Sequence, residues 1–593
     1  MKVLLLFPPQ FLPISPFAGT AYLTSYLKNN GINVVQEDLN AEMYDYFLST
    51  QCLDALEKRA KKRLQSCNTA DDLVDLSHLL LEIDESRTLI REAKNNLKST
   101  DTYSNPCVFS QSVDAVGNVL KLISRSHAPT TINLCSYFMP GAGSADDIVA
   151  FFRKRDVSWL FLKFLEKRIA QYIKKHKPDI IGLSVGDRLE LPLAIAALIK
   201  RKHPDIYVVL GGPGATVGRD LLKSNPDYFD LFDYLIIHDG ELAFHKLIQT
   251  LRSDHDVSQV PNLIYKDPST GDITETPSEP LNLHDVSPPD FSNLNLNKYL
   301  VPETIFPIQI GRGCYWNKCT FCDRLIAFSQ NKGDSYRSKS ISQVLKEIKY
   351  IKRKYGARYI YFTDEAIPVK YLEELSQAII NNNISIKWMG LTRFENDFKK
   401  TTFFKLKKSG CVKLGFGLES ACKRILYLMN KGIVFDKAKK IIGWANEAKI
   451  PLHIWLMIGF PSETKREIRN TMNVFKDLIP LLDVPGFSFA ISDFVLDHYS
   501  QINLNASYYG IKKRVKNPKL LYHFYKYFCD TTNRNTRQLI RHANKYRKEI
   551  KIMLKHPELI NREYITGFLW GMFISGQNMA RNYKCKKEVG KCA

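Results

Sequence analysis

Along the first half of the chain, short uninterrupted apolar runs alternate with longer stretches of helical periodicity. The runs KVLLLF (2–7), INVVQ (32–36), DIIGLSV (179–185), DIYVVLGG (205–212) and DYLIIHDGE (233–241) read as strands buried on both faces, and so parallel. LPLAIAALIKRKH, between the third and fourth, has the apolar spacing of a covering helix. This alternation predicts an α/β fold, a doubly wound, Rossmann-like domain over residues 1–260. Residues 50–175 interrupt it with a Leu-, Lys-, Glu- and Ala-rich stretch that predicts a helical insertion. Residues 261–300, with PNLIY, SPPD and many Asn and Asp residues, read as a linker.

The alternation resumes at IFPIQI (305–310) and continues through RYIYFTDE (358–365), IKWMGLTR (386–393), VKLGFGLES (412–420), LHIWLMIGFP (452–461) and GFSFAISDF (486–494). Six such units predict a partial (β/α)6 barrel over 301–500, with its chemistry at the carboxyl ends of the strands. Residues 501–593 read as a helical, basic carboxyl-terminal region.

A chain of 593 residues exceeds one ordinary domain. Apolar content of 45% and charged content of 24% are those of a globular protein. The start, MKVLLLFPPQ, has too short an apolar run for a signal peptide, and no run reaches membrane-helix length. Together with scattered cysteines this predicts a cytoplasmic protein with reduced thiols and no membrane partner. The net charge is +23, and residues 511–593 hold +15 of it (20 Lys and Arg against 5 Asp and Glu). Such a tail suits an acidic partner, or is simply a solvated face.

The densest chemical signal is GRGCYWNKCTFCDR (311–324), with Cys314, Cys319 and Cys322 directly after the first barrel strand. Three thiolates can hold three irons of a [4Fe–4S] cluster and leave the fourth open. A zinc site would need a fourth ligand, for which His284, Cys411 and Cys422 are available but not at motif spacing; unligated thiols are the third reading. Other strand ends carry polar groups that packing alone does not require: Asp364 and Glu365, Arg393, Glu419 and Ser420, and Gly459 before FPSET. Carboxylates and a guanidinium at one barrel mouth suit an amino acid zwitterion.

With YFTDEA, WMGLTRFEN, LKKSGCVKLGFGLESACKRILYLMNKG and MIGFPSET following the cysteines in order, residues 1–500 resemble the radical S-adenosylmethionine enzymes, and within them the cobalamin-binding branch. The resemblance implies that Cys314, Cys319 and Cys322 hold a [4Fe–4S] cluster. The amino and carboxylate groups of S-adenosylmethionine would chelate its open iron, and one electron would release a 5′-deoxyadenosyl radical. It implies further that Phe321 lies beside the adenine, that Asp364 or Glu365 meets the amino group, and that Arg393 meets the carboxylate. Glu419 and Ser420 would approach the ribose or methionyl end. The spacing Cys-x4-Cys-x2-Cys departs from the family's commoner Cys-x3-Cys-x2-Cys by one loop residue.

In the first domain, ligands of a doubly wound sheet bind at the strand carboxyl ends. These are Pro8 and Pro9, Ser184 and Val185, Gly211, Gly212 and Pro213, and Asp239, Gly240 and Glu241. A mononucleotide, a flavin or a corrinoid fits that description, and neither a Gly-x-Gly-x-x-Gly helix start nor a Walker-type lysine is present. The order of VVLGGP and a Gly-Glu pair resembles the cobalamin-binding domain that precedes many such barrels. The Asp-x-His-x-x-Gly signature is absent, so cobalamin is expected without a histidine lower ligand, and His238 is expected to be structural.

By the resemblance, the activity is C-methylation of an unactivated carbon on a small-molecule, peptide or natural-product-type substrate, with cyclisation or rearrangement as alternatives; an acidic substrate would suit the basic tail. An external one-electron reductant such as flavodoxin or ferredoxin is implied. A zinc-stabilised nucleic-acid-binding protein would account for the charge, but leaves YFTDEA, GLES and GFPSET without a purpose.

Overall fold

Five of the six side chains of KVLLLF are buried, and their strand pairs in parallel on both edges. It is β1 (Lys2–Phe7), and Val3 lies opposite Val34 on one side and Ile180 on the other. The computed structural model of the chain describes residues 1–9, 11–128, 130–134, 137–138, 160–186, 188–253, 255–323, 336–482 and 486–514, and beyond these 524–525, 528–530, 541 and 544–546. The described residues form two compact units, 1–281 with 289–304, and 282–288 with 305 onward.

In the first unit β1 is joined by β2 (Asn33–Asp38), β3 (Ile180–Ser184), β4 (Tyr207–Gly211), β5 (Tyr234–Ile236), β6 (Leu263–Lys266) and β7 (Ile273–Glu275). The order is β2-β1-β3-β4-β5-β6-β7, so the direction of winding reverses between β1 and β3. The first five strands are parallel, while β6 and β7 add antiparallel. Residues 261–300 are therefore not simply a linker. Leu263, Ile264 and Tyr265 are buried, and a short apolar run beside an open sheet edge pairs with it rather than leave both unsatisfied.

Between β2 and β3 lies the expected helical insertion. Its helices Thr50–Gln65, Ala70–Leu97 and Pro106–Ser126 begin at side-chain caps from Ser49, Thr69 and Asn105, and Leu160–His176 returns to the sheet. A two-stranded pair, Thr131–Ile132 with Tyr137–Phe138, sits in the same interval.

Asp38 ends β2 and caps the next helix, accepting from the Ala41 N–H at 2.8 Å and the Tyr299 hydroxyl at 2.7 Å. Burial pushes its carboxyl up to about 6, against those two donors. A raised carboxyl stabilises the fold fully at pH values below the ordinary aspartate range, and that contribution is lost as the pH climbs through about 6. Asp38→Asn keeps the cap but not the titration. Relative to the wild type it should therefore gain on the order of 2–3 kcal/mol between pH 4 and 7, read by denaturant unfolding of the full chain at the two values.

The second unit is built on six parallel strands in strict chain order: β8 (Ile305–Ile308), β11 (Tyr359–Phe362), β12 (Lys387–Thr392), β13 (Cys411–Glu419), β14 (Leu452–Ile458) and β15 (Ser488–Asp493). Each next neighbour follows after a helical crossover, the order of a (β/α) barrel left open after six strands. Trp388 is fully buried on β12, edge-on to Phe362 with centroids 5.5 Å apart. Beyond β8, the chain forms a separate antiparallel pair, β9 (Gly311–Gly313) with β10 (Tyr336–Ser338).

The carboxyl-terminal region combines helix and strand where it is described, with Gln501–Leu504 helical. Ile511–Arg514 and Phe528–Asp530 pair as antiparallel strands, as do Leu496–Asp497 and Phe524–Tyr525. Aromatic and β-branched residues such as Ile511, Phe524 and Phe528 favour a pleated surface over a helix. Cys585, Cys592 and most of the basic tail lie outside the described residues. No helix among the described residues is long and apolar enough to cross a membrane.

Candidate functional site

The segment carrying Cys314, Cys319 and Cys322 runs on from β9, at the carboxyl edge of the barrel strands, and is fastened to one later stretch of chain. The Trp316 indole N–H donates to the Asn430 carbonyl at 2.9 Å. The Thr320 hydroxyl donates to the Leu428 carbonyl at 2.8 Å and its backbone N–H to that of Met429 at 3.0 Å. Gly432 lies under the indole at φ 69°, where a Cβ would come within 2.3 Å of the ring. Only glycine fits beneath this lid. Within the four-residue interval between Cys314 and Cys319, Asn317 takes a left-handed φ of 49°, a conformation asparagine tolerates better than most residues.

All three cysteines are free thiols, half-buried. Among the described residues no three His, Cys, Asp or Glu side chains gather closely enough for one metal ion. A donor set of three separate thiols suits a cubane, whose irons each take one thiolate, better than a single ion that needs its ligands gathered.

Arg393, at the end of β12, is buried against this segment. Its Nε donates to Glu395 Oε1 at 2.8 Å, one Nη reaches Cys319 Sγ at 3.8 Å, and the other donates to the Lys431 carbonyl. The guanidinium carbon stands 4.1 Å from the centroid of the Trp316 ring. Glu395 also accepts from the Tyr315 hydroxyl at 3.1 Å.

Glu419 leaves β13 in the left-handed region, at φ 62°, and its carboxylate pairs with Lys431 at 2.9 Å, both side chains 10% exposed. The Lys431 ammonium also lies 5.6 Å from the Phe321 ring centroid. Burial works against that ammonium, but Glu419 and the Cys319 thiol outweigh it and hold its pKa above the ordinary lysine value. Burial pushes the Cys319 thiol up, opposed by Lys431 and Arg393. Phe321, Arg393, Glu419 and Cys319 are thus brought together as the sequence suggests, with Lys431, Trp316 and Glu395 as members it did not single out. Lys431 was legible only as the basic residue twelve positions after Glu419 in the run LESACKRILYLMNKG.

The other strand-end residues serve the framework. Asp364 is buried and accepts the backbone N–H groups of Ile310 at 2.9 Å and Gly311 at 2.6 Å, bracing the approach to the cysteines. Burial pushes its carboxyl up to about 7, opposed by those two donors. Its neighbour Glu365 is exposed. The Ser420 hydroxyl meets Thr471 at 3.0 Å and accepts from the Cys422 N–H. Gly459 sits at φ 91°, and its N–H donates to buried Glu463 at 2.7 Å. A cavity of about 340 Å³ opens at the amino ends of the strands, lined by residues such as Lys387, Lys407 and Cys411, and includes none of these groups.

In the first unit, the strand ends pack tightly on one another. The Val185 N–H donates to the Gly211 carbonyl at 2.7 Å, and the Val185 carbonyl accepts from Gly214 at 3.1 Å. Gly212 has φ 99°, and a Cβ there would lie 2.7 Å from the Val185 oxygen. The absent side chain makes room for strand–helix packing, and a large residue would disturb the fold before it reached any ligand. Pro213 opens one helix (Pro213–Lys223), and Gly240 and buried Glu241 open another (Gly240–Ser253). Buried Asp239 accepts from Leu281 at 2.8 Å. Pro8 and Pro9 follow β1 beside Phe7, Phe11 and Phe17, with Phe7 and Phe17 stacked 4.2 Å apart. Ser184, Gly211, Gly212, Pro213 and Gly240 stay half-buried along this edge, the carboxyl edge at which a doubly wound sheet takes its ligands. The His238 N–H donates to Thr216 Oγ1 at 2.8 Å, so its backbone is built into the turn.

Comparison with known proteins agrees with this arrangement. Residues 308–475 match the model of the radical SAM superfamily, and residues 145–248 that of the B12 binding domain. An uncharacterized methyltransferase of Pyrococcus horikoshii is 29% identical over 52% of this chain and 66% of its own length. The hopanoid C-3 methylase of Methylococcus capsulatus is 25% identical over 47% of this chain and 53% of its own. The match therefore spans about half to two thirds of these relatives. Among solved structures, the radical S-adenosylmethionine methyltransferase TsrM of Kitasatospora setae, with cobalamin and a [4Fe–4S] cluster bound, aligns over 98% of this chain and 100% of its own, with a TM-score of 0.59 and 14% identity. At that identity the likeness is one of fold.

Proposed function

We propose that this chain, whose residues 308–475 match the radical SAM superfamily and 145–248 the B12 binding domain, is a cobalamin-binding radical S-adenosylmethionine enzyme that cleaves S-adenosylmethionine reductively and methylates an unactivated carbon of a small-molecule or peptide substrate. The observation that carries the reading is the cysteine segment, pinned at the carboxyl edge of the barrel with three free thiols. Methylation is put before cyclisation because the two relatives named above are described as a methyltransferase and a methylase, while another of similar identity is described as a cyclase and keeps cyclisation as the second reading.

When bound, the cluster supplies the electron that breaks the sulfonium, and cobalamin supplies methyl-transfer chemistry. The protein's own residues bind and orient. Cys314, Cys319 and Cys322 would hold the cluster as thiolates, and Trp316 and Thr320 keep their segment in place. Phe321, held beside Lys431, offers an apolar face for a purine. Glu365 rather than Asp364, whose two oxygens accept backbone N–H groups, would meet an amino group. In the first unit, cobalamin would lie along Ser184, Gly211–Pro213 and Gly240, without a histidine ligand. The electron would come from a low-potential one-electron donor such as flavodoxin or ferredoxin.

Full-length protein purified without oxygen should be brown and carry about four irons per chain. With dithionite and S-adenosylmethionine it should form 5′-deoxyadenosine, and after incubation with cobalamin it should retain corrinoid absorbance through gel filtration. Zinc in place of iron, with no cleavage product, would overturn the reading.

A further inference from the structure

Building on the cluster reading above, we infer that Arg393 is a positioning residue that sets the redox poise of the cysteine site, rather than the reader of the methionyl carboxylate that the resemblance implies. An arginine that reads a carboxylate presents the fork of its two Nη groups outward. Here one Nη is aimed at Cys319 Sγ at 3.8 Å and the other is bonded to the Lys431 carbonyl, while Nε is held by Glu395. One face of the guanidinium is covered by Trp316, itself tied to Asn430. A two-pronged grip on a ligand carboxylate would require breaking the contacts that hold the cysteine segment.

The contacts it does make have an electrostatic consequence. A cationic N–H donor at a ligand sulfur stabilises the state that has gained an electron, and so raises the reduction potential. The effect is amplified because Arg393 is 5% exposed, where charges are poorly screened. Glu395 opposes it from 2.8 Å on the other side. Arg393 and Glu395 therefore work as a matched pair, one making the cluster easier to reduce and the other harder.

The test is an EPR-monitored redox titration of anaerobically reconstituted, full-length wild type, Arg393→Met and Glu395→Gln, with equilibrium binding of S-adenosylmethionine to the oxidised proteins. Arg393→Met should move the midpoint to more negative potential, cutting the ratio of reduced to oxidised cluster at a fixed potential roughly tenfold. Glu395→Gln should move it the opposite way, and S-adenosylmethionine should bind all three within about twofold. Shifts of opposite sign are not what a merely structural pair would produce. If Arg393→Met does not retain iron, the sign of the Glu395→Gln shift decides. Midpoints unchanged from wild type in the variants that hold iron would overturn the inference, as would a large loss of S-adenosylmethionine affinity in Arg393→Met at an unchanged midpoint. A wild type with no four-iron signal at all would instead remove the cluster reading on which the inference stands.

Discussion

Alanine at Cys314, Cys319 or Cys322 should reduce 5′-deoxyadenosine formation to background and lower the iron content. Each thiolate would hold one iron, and among the described residues no other sulfur is placed to substitute. Cys422 is near in sequence to Glu419, but its thiol donates to Glu467 Oε1 at 3.3 Å. Cys411 lies at the amino end of β13, 1% exposed, with burial pushing its thiol up to about 12. Cys411→Ala is therefore the matched control, losing a buried sulfur but keeping iron and cleavage. Iron assay and product chromatography on the four variants check this together. Cleavage at wild-type level in any of the three ligand variants would mean that the cluster is held elsewhere.

The largest effect on stability is expected from Glu347→Gln. Lys339 and Glu347 pair at 2.6 Å with each side chain only 1% exposed. Burial lowers the pKa of the Lys339 ammonium, and Glu347 opposes that fall. Removing one member of a buried pair takes away the nearest charge set against the other and costs about 3–5 kcal/mol. Replacing both by apolar residues of similar size, Lys339→Met with Glu347→Leu, should recover most of that loss, because the desolvation of both charges disappears with them. Denaturant unfolding of the two variants checks the contrast, and equal losses would refute it. The pair also bears on the site. The Lys339 N–H donates to the Ile310 carbonyl at 2.9 Å, and Asp364 holds the Ile310 N–H, so Glu347→Gln should also weaken iron retention.

The barrel strands and the central strands of the first sheet are legible because each is covered on both faces and so reads as an apolar run. The pair that follows is not. PNLIY and the short Ile273–Glu275 strand sit between prolines and polar turns, and only the open edge of the sheet turns them into strands. The short strands after residue 510 are hidden for a related reason, since the lysines around them mask the pairings of Ile511–Arg514 and Phe528–Asp530. At the site, cysteine spacing and the charged residues at strand ends are visible in the sequence. Their partners are not, because partnership is decided in three dimensions. Asp364 and Glu365 are adjacent letters, yet one is spent on backbone N–H groups and the other faces solvent. Arg393 reads as a ligand-binding cation until Trp316, Cys319 and Lys431 are seen around it.

The hold of residues 428–431 on the cysteine segment also orders events in time. Trp316 and Thr320 are translated more than a hundred residues before the carbonyls they bond to. A nascent chain that has just emerged from the ribosome with all three cysteines has nothing to fold them against. The segment can take its final shape only after β12 and β13 have been laid down and Gly432 has slipped beneath the indole. Iron delivered before that point would meet a floppy thiol-rich peptide open to oxidation and to stray metals. A cluster on these thiols would therefore reach its final setting only in chains that have already built β12 and β13.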